Sequence, residues 1–160
     1  VTGVDTSFSF GVASAGSYYL VVSSDVYYDS GQYTIIPSFT TSSAAAVEQE
    51  PNNNLGFANS ASNNASITGQ LSSNTDQDWY QLDTAAGGSV TVTLDVPTNI
   101  SYQDFFDVTA RDASGNILAS IVTGVDTSFS FGVASAGSYY LVVSSDVYYD
   151  SGQYSLTPSF

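Results

Sequence analysis

Cysteine, histidine, methionine and lysine are all absent from this 160-residue chain, and arginine occurs once, at Arg111. Without cysteine there is neither a disulfide nor a thiolate metal site to hold the fold. Without His, Cys or Lys, a nucleophilic triad lacks its base and a Schiff base its amine. No catalytic residue is therefore assigned, and the chain reads as a non-enzyme. Fifteen acidic residues face the single arginine, for a net charge of −14. Phosphate binding needs clustered Lys and Arg, so nucleic acid is excluded as a partner, and an anionic membrane surface is disfavoured for the same reason. No apolar run approaches the roughly 20 residues of a membrane helix, so membrane insertion is not expected. A charged n-region with an apolar h-region is also missing, which would put any secretory leader upstream.

What the chain has is apolar, aromatic and neutral-polar. Hydrophobic residues make up 42% and aromatics 14%, with twelve tyrosines, whereas charged residues supply only 10%. Surface polarity must then come from Ser, Thr, Asn, Gln, Gly and Tyr, a mixture that suits β-rich surface proteins and not disordered tails. For so acidic a chain the natural counterion is a divalent cation, and hard, oxygen-liganded calcium is the first candidate cofactor.

Self-comparison gives the most specific signal. Residues 1–39 match 122–160 at a constant offset of 121, with differences only at Thr34/Ser155, Ile35/Leu156 and Ile36/Thr157. In a strand, Tyr154, Leu156, Pro158 and Phe160 would share one face and Ser155 and Thr157 the other. The change on the apolar face keeps its volume, and Ile to Thr falls on the polar one. A segment this short cannot bury a core by itself. Residues 1–39 are accordingly read as the C-terminal third of a preceding module, 40–47 as a small-residue linker, and 48–160 as one complete module.

Within that module, strand patterns recur every 8–12 residues, as in a β-sandwich. They fall at Ile67–Leu71, Asp78–Asp83, Ser89–Val96, Phe106–Ala110, Asn116–Ile121, Ser128–Val133, Ser138–Ser144 and Gln153–Phe160. In the third, Val90, Val92, Leu94 and Val96 alternate with Ser89, Thr91, Thr93 and Asp95. Residues 55–65 read as a loop with room for a short helical turn. No stretch carries a 3.6-residue period. The expected fold class is all-β: an antiparallel sandwich of about eight strands in two packed sheets, in tandem repeat.

Glu48, Glu50, Asn52 and Asn53 put four oxygen-bearing side chains within six residues, stiffened by Pro51. That donor set suits calcium; the plainer alternative is a solvated linker whose Asn side chains cap turns. Asp76 and Asp78 have the composition of a glycosidase pair, but same-side positions on one strand fit a turn or a cation site better. The loop Ser145–Gly152, repeated at 24–31, carries Tyr148 and Tyr149, with Tyr27 and Tyr28 in the other copy. These are candidates for ligand or inter-module contact, since Tyr brings large area at low entropy cost; the alternative is a hairpin whose tyrosines cover a sheet edge. Trp79 should point away from Tyr80 and Leu82, as an edge cap, a module contact or a sugar platform. Sequons at Asn64 and Asn99 are candidate glycosylation sites.

The ordered motifs Glu48-Gln-Glu-Pro-Asn-Asn53, Ile67-Thr-Gly-Gln-Leu71, Asp76-Gln-Asp-Trp-Tyr80, Ala86-Gly-Gly-Ser-Val90, Gly137-Ser-Tyr-Tyr-Leu141 and Gly152-Gln-Tyr-Ser-Leu156 resemble the bacterial pre-peptidase C-terminal (PPC) domain family. The chain is also similar to the collagen-binding domains of clostridial collagenases. The resemblance spans 48–160 and implies a jelly-roll-like sandwich, secretion, and a binding or structural role without catalysis. In calcium-binding relatives the acidic opening segment supplies ligands together with acids before the aromatic strand, which here are Asp76 and Asp78. One departure is Asn53, where the family often has Asp; it removes a charge from the site. The leading functional expectation is a structural repeat of an extracellular bacterial fibre, stalk or large adhesin, rigidified by calcium. Its partners would be neighbouring copies of the module at the cell surface. The alternative is an accessory domain of a secreted hydrolase that holds collagen-like matrix protein or polysaccharide.

Overall fold

In the computed structural model, the described residues are 7, 18–23, 32–38, 46–96, 105–146 and 152–160. All eight expected strands form: β3 (Ile67–Gln70), β4 (Gln77–Thr84), β5 (Gly88–Asp95), β6 (Phe106–Asp112), β7 (Ile117–Thr123), β8 (Thr127–Val133), β9 (Gly137–Ser145) and β10 (Gln153–Ser159). Two short strands precede them, β1 (Ala46–Val47) and β2 (Asn59–Ser60), so among the described residues the expected count of eight becomes ten. The all-antiparallel expectation is also corrected, because β1 runs parallel to β3 and β2 parallel to β4. Two residues are too few to show period-2 alternation, and tertiary pairing alone recruits them. The helical turn is a 3-10 turn at Leu55–Phe57, begun by Asn54, whose side chain accepts from the Gly56 amide.

The strands form two five-stranded sheets, ordered β1-β3-β10-β5-β8 and β2-β4-β9-β6-β7. The eight long strands behave as one long hairpin folded over itself. β6 pairs β7, β5 pairs β8, β4 pairs β9 and β3 pairs β10, all antiparallel, and the pairs alternate between the sheets. That nesting is the jelly-roll topology. Its tip is the Asp112–Gly115 turn, where Asp112 Oδ1 accepts from the Ser114 and Asn116 amides at 2.9 Å each and Gly115 takes φ +84°. Only glycine adopts that left-handed backbone at no steric cost.

Alternation places the core. Val90, Val92 and Leu94 of β5, Tyr80 and Leu82 of β4, and Tyr154 and Leu156 of β10 face inward and are buried. Phe106 packs edge-on to Phe105 and Tyr154, with ring centroids 4.6 and 5.3 Å away. Ser155 and Thr157, two of the positions that differ between the copies, are half-buried on the opposite face of β10. Residues 18–23 and 32–38, the copies of most of β9 and β10, form neither strand nor helix, and their side chains are exposed.

Candidate metal centre

The acidic opening segment crosses from one sheet to the other at the sandwich edge. On the first sheet, the Glu48 amide continues the β1–β3 pairing by donating to the Thr68 carbonyl at 3.0 Å. On the second, the Asn52 carbonyl accepts from the Trp79 amide of β4 at 3.1 Å. Between them the Glu50–Pro51 peptide is cis, and Gln49 is held by two hydrogen bonds with the Asn59 side chain. This path carries Glu48 and Asn52 inward. Both are buried, and Asp78 of β4 is wholly so.

Glu48, Glu50 and Asp78 each present a carboxylate oxygen, and the three atoms lie within 4.8 Å of one another. One calcium ion with Ca–O bonds of roughly 2.4 Å spans that separation. Beside them, Glu48, Glu50, Gly69, Gln70 and Gln153 line an open depression of about 180 Å³. Behind the carboxylates runs a chain of hydroxyls: Glu48 Oε2 to Tyr80 Oη at 3.0 Å, Tyr80 Oη to Tyr154 Oη at 2.7 Å, and Tyr154 Oη to Asp78 Oδ2 at 2.5 Å. The other Glu48 oxygen accepts from the Gln70 amide at 2.6 Å. Gly69 makes room for this chain, because a Cβ there would sit 2.5 Å from both tyrosine hydroxyls.

Proton counting is informative. The chain has three contacts but only two hydroxyl protons, so the third proton must come from a carboxyl, or one contact is left between bare oxygens. The electrostatics agree. Burial, with the Glu48 charge next, pushes the Asp78 carboxyl up to about 9. Glu48 is raised too, chiefly by burial, and burial lifts the Tyr80 and Tyr154 phenols far above their ordinary value. Arg111, the chain's only basic side chain, lies elsewhere and bonds to Thr109 and the Gly115 carbonyl. Without a cation, then, burial and the hydroxyl chain both favour the protonated form of a carboxyl here. Among the described residues, three buried side-chain atoms have no hydrogen-bond partner: Asn52 Oδ1, Asn52 Nδ2 and Asp78 Oδ1. A buried orphan acceptor is costly; Asp78 belongs to the converging carboxylates, and Asn52 is tied to them through its backbone amide, which donates to Glu50 Oε2 at 2.9 Å. The residues present therefore fit the cation: Glu48, Glu50 and Asp78 would supply carboxylates, with Asn52 as a neutral oxygen.

The other candidates are placed as follows. Asp76 is buried, but it clasps its own turn by accepting from the Ser72 and Gln77 amides at 2.5 and 3.0 Å. Asn53, with its amide nitrogen turned inward, donates to Asp76 Oδ1 at 2.7 Å and to the Gln77 carbonyl at 2.8 Å. This pair braces the loop behind the carboxylates and is not among the three that converge. Trp79 points outward as expected. Its ring is 6.2 Å from that of Tyr140, the Arg111 guanidinium lies 5.9 Å from its centroid, and its indole nitrogen donates to Gln77. The exposed Asn64 sits in a turn with φ 57°, an angle asparagine tolerates. Tyr27, Tyr28, Tyr148, Tyr149 and Asn99 lie outside the described residues. Sequence reasoning missed Tyr80, Tyr154 and Gly69 as parts of the site. The available signal was two inward tyrosines needing hydroxyl partners and a glycine interrupting a strand.

No family model matches the sequence, and no curated protein sequence matches it. Among solved structures the chain is similar to the pre-peptidase C-terminal domain of a collagenase from Bacillus anthracis, with 24% identity, a TM-score of 0.51, and coverage of 64% of this chain and 94% of that one. A second similar structure is a periplasmic inhibitor of g-type lysozyme from Aeromonas hydrophila, with 15% identity, a TM-score of 0.48, and coverage of 72% and 95%. The first likeness bears out the PPC resemblance at the level of the fold. Among the described residues no helix is long and apolar enough to cross a membrane.

Proposed function

We propose that this chain is a non-catalytic accessory module of a secreted protein, with its opening segment fixed by calcium at Glu48, Glu50, Asp78 and Asn52. The observation that carries the reading is the site itself. Three convergent carboxylates and an orphaned buried amide at a sheet-to-sheet crossing describe a structural clamp, on a fold shared with a collagenase accessory domain. Calcium there would lock the strap that joins the two sheets and so set the direction from which a preceding segment arrives. The ligand class that best suits the module is collagen-like protein or polysaccharide, held on the outward face of the second sheet. There Trp79, Tyr140 and Arg111 cluster, and aromatic faces bring area and cation–π attraction. Retention on insoluble collagen or chitin, measured with and without calcium, tests this. Retention lost with Trp79→Ala supports it, and no retention on either matrix would overturn the ligand assignment.

A second reading, a repeat of an extracellular fibre or adhesin, is favoured by one specific observation. The β8–β10 sequence occurs twice, with three differences in 39 positions. Electron microscopy of the full gene product showing beads at regular spacing would support this arrangement, and a lone globular particle would remove it.

A further inference from the structure

We propose that residues 18–23 and 32–38 are a strand donor, and that their partner is the β3–β7 framework of a sandwich of this same kind whose own last strands do not fill it. The inference rests on the repeat reading above.

The argument is one of identical sequence with two fates. Residues 139–144 and 18–23 share the sequence Tyr-Tyr-Leu-Val-Val-Ser. The first run lies between β4 and β6, with Leu141 facing Tyr80 on one side and Ala110 on the other. Leu141 and Val142 are 0% and 3% exposed, whereas their copies Leu20 and Val21 are 47% and 87% exposed. Likewise Tyr154 is 1% exposed between β3 and β5, and its copy Tyr33 is 68% exposed. Intrinsic preference cannot separate identical residues, so the difference lies in whether partner strands are free. Within this sandwich they are not, because β8–β10 already occupy the places.

The shape of the vacancy that would receive the copy is therefore known from β9 and β10. Ile35 would take the place of Leu156, between Ile67 and Leu94, at equal volume. Thr34 and Ile36 would take the half-buried outer positions of Ser155 and Thr157. Tyr33 would bring its hydroxyl to the counterparts of Tyr80 and Asp78, over the space that Gly69 leaves. Docking would thus also complete the hydroxyl chain behind the carboxylates. The sequence 1–160 carries two copies of the filler and one framework. Within these residues one copy is in surplus, so its acceptor is a framework lacking a filler, on the same polypeptide or another.

The linker permits exchange. The register puts Ala46 two strands across from Leu156, roughly 10 Å, and four residues back from Phe160, roughly 13 Å. Residues 40–45 can cover that gap of roughly 16 Å, since seven Cα steps reach about 23 Å. The N-terminal copy can therefore also enter its own framework if 122–160 is expelled.

Proline in the middle of a central strand removes a ladder hydrogen bond and is not tolerated there. Leu20→Pro in the full chain should leave melting and amide exchange of 46–160 unchanged. Leu141→Pro should still fold, with protection passing from 139–144 to 18–23, as a monomer by self-filling or as an oligomer by exchange between chains. Slowing of exchange in 18–23 by at least about tenfold is expected. The double variant should fold only when wild-type chain is added, as a 1:1 complex in which residues 18–23 of the wild type gain protection. Leu20→Pro chain should not substitute for it. The proposal is overturned if Leu141→Pro unfolds as fully as the double variant and the wild-type chain forms no complex with either. That outcome, with matrix retention intact, would leave the accessory-module reading standing.

Discussion

Removing calcium should reverse the ordinary pH dependence of stability, and Asp78 sets the size of the effect. In the metal-free fold its carboxyl is pushed up to about 9, against an ordinary 3.8, chiefly by burial and then by the Glu48 charge. The folded state therefore keeps a proton that the unfolded state has lost across the whole interval between those values. Raising the pH through that window favours unfolding, by up to about 1.4 kcal/mol per pH unit. Between pH 4 and 7 the loss is on the order of 4 kcal/mol, a large part of an ordinary domain's stability. Glu48, raised by the same burial, acts in the same direction. Asp83 and Asp112, both lowered by hydrogen bonds, act oppositely: the stability they add is present above the ordinary carboxylate range and is lost only as the pH falls through it.

Calcium at the proposed site would compete with that proton. Carboxylates must ionise to ligate, so binding releases protons and strengthens as pH rises. At a hundred times its dissociation constant the ion adds about 2.7 kcal/mol. Urea unfolding of the metal-free chain at half-unit steps from pH 4.5 to 8 should show midpoints that fall with pH. With saturating calcium they should be level or rise. Asp78→Asn should remove its share of the falling slope, leaving what Glu48 and Asp107 contribute, and should remove most of the calcium response. The reasoning fails if metal-free midpoints are flat or rise over this range, or if the slope is the same with and without calcium.

Further substitutions probe the surroundings of the site and, at Arg111, the outward face of the second sheet. Tyr154→Phe deletes the hydroxyl shared by Asp78 and Tyr80 and leaves buried acceptors unpaired, so the metal-free chain should lose about 1–3 kcal/mol by urea titration. Gly69→Ala pushes a methyl to 2.5 Å from both tyrosine hydroxyls. It should cost about 1–3 kcal/mol as overpacking and weaken calcium binding by calorimetry, whereas Gly88→Ala, with open space at its Cβ, should bind calcium as the parent does. Arg111→Ala removes the guanidinium from the Trp79 ring. A stability loss of about 0.5–1 kcal/mol is expected, with a shift in tryptophan fluorescence as the readout and no change in calcium response.

Strands such as β5 were legible because they alternate around a one-sided apolar face, as Val90, Val92 and Leu94 do, whereas the four-residue β3 was legible from Ile67, Gly69 and Leu71 alone. The two added strands were not, since Ala46–Val47 and Asn59–Ser60 are strands only through β3 and β4 beside them. The site divides in the same way. Local spacing marks Glu48, Glu50 and Asn52, and the family pattern adds Asp78. The convergence of Asp78 with Glu48, and its separation from Asp76 two residues earlier, come from side-chain direction in a strand that starts at Gln77. Asp76 stands just before it, where a carboxylate caps the turn. Tyr154 enters from 76 residues away in sequence, a distance no local pattern spans. It also belongs to the repeated segment, which joins the two lines of reasoning. The acidic strap belongs to the framework, but the hydroxyl bonded to Asp78 is delivered by the filler strands. A framework without its filler has the carboxylates and lacks that partner. Strand docking and cation binding should therefore favour one another, because each supplies what the other leaves unsatisfied at the buried Asp78 carboxylate.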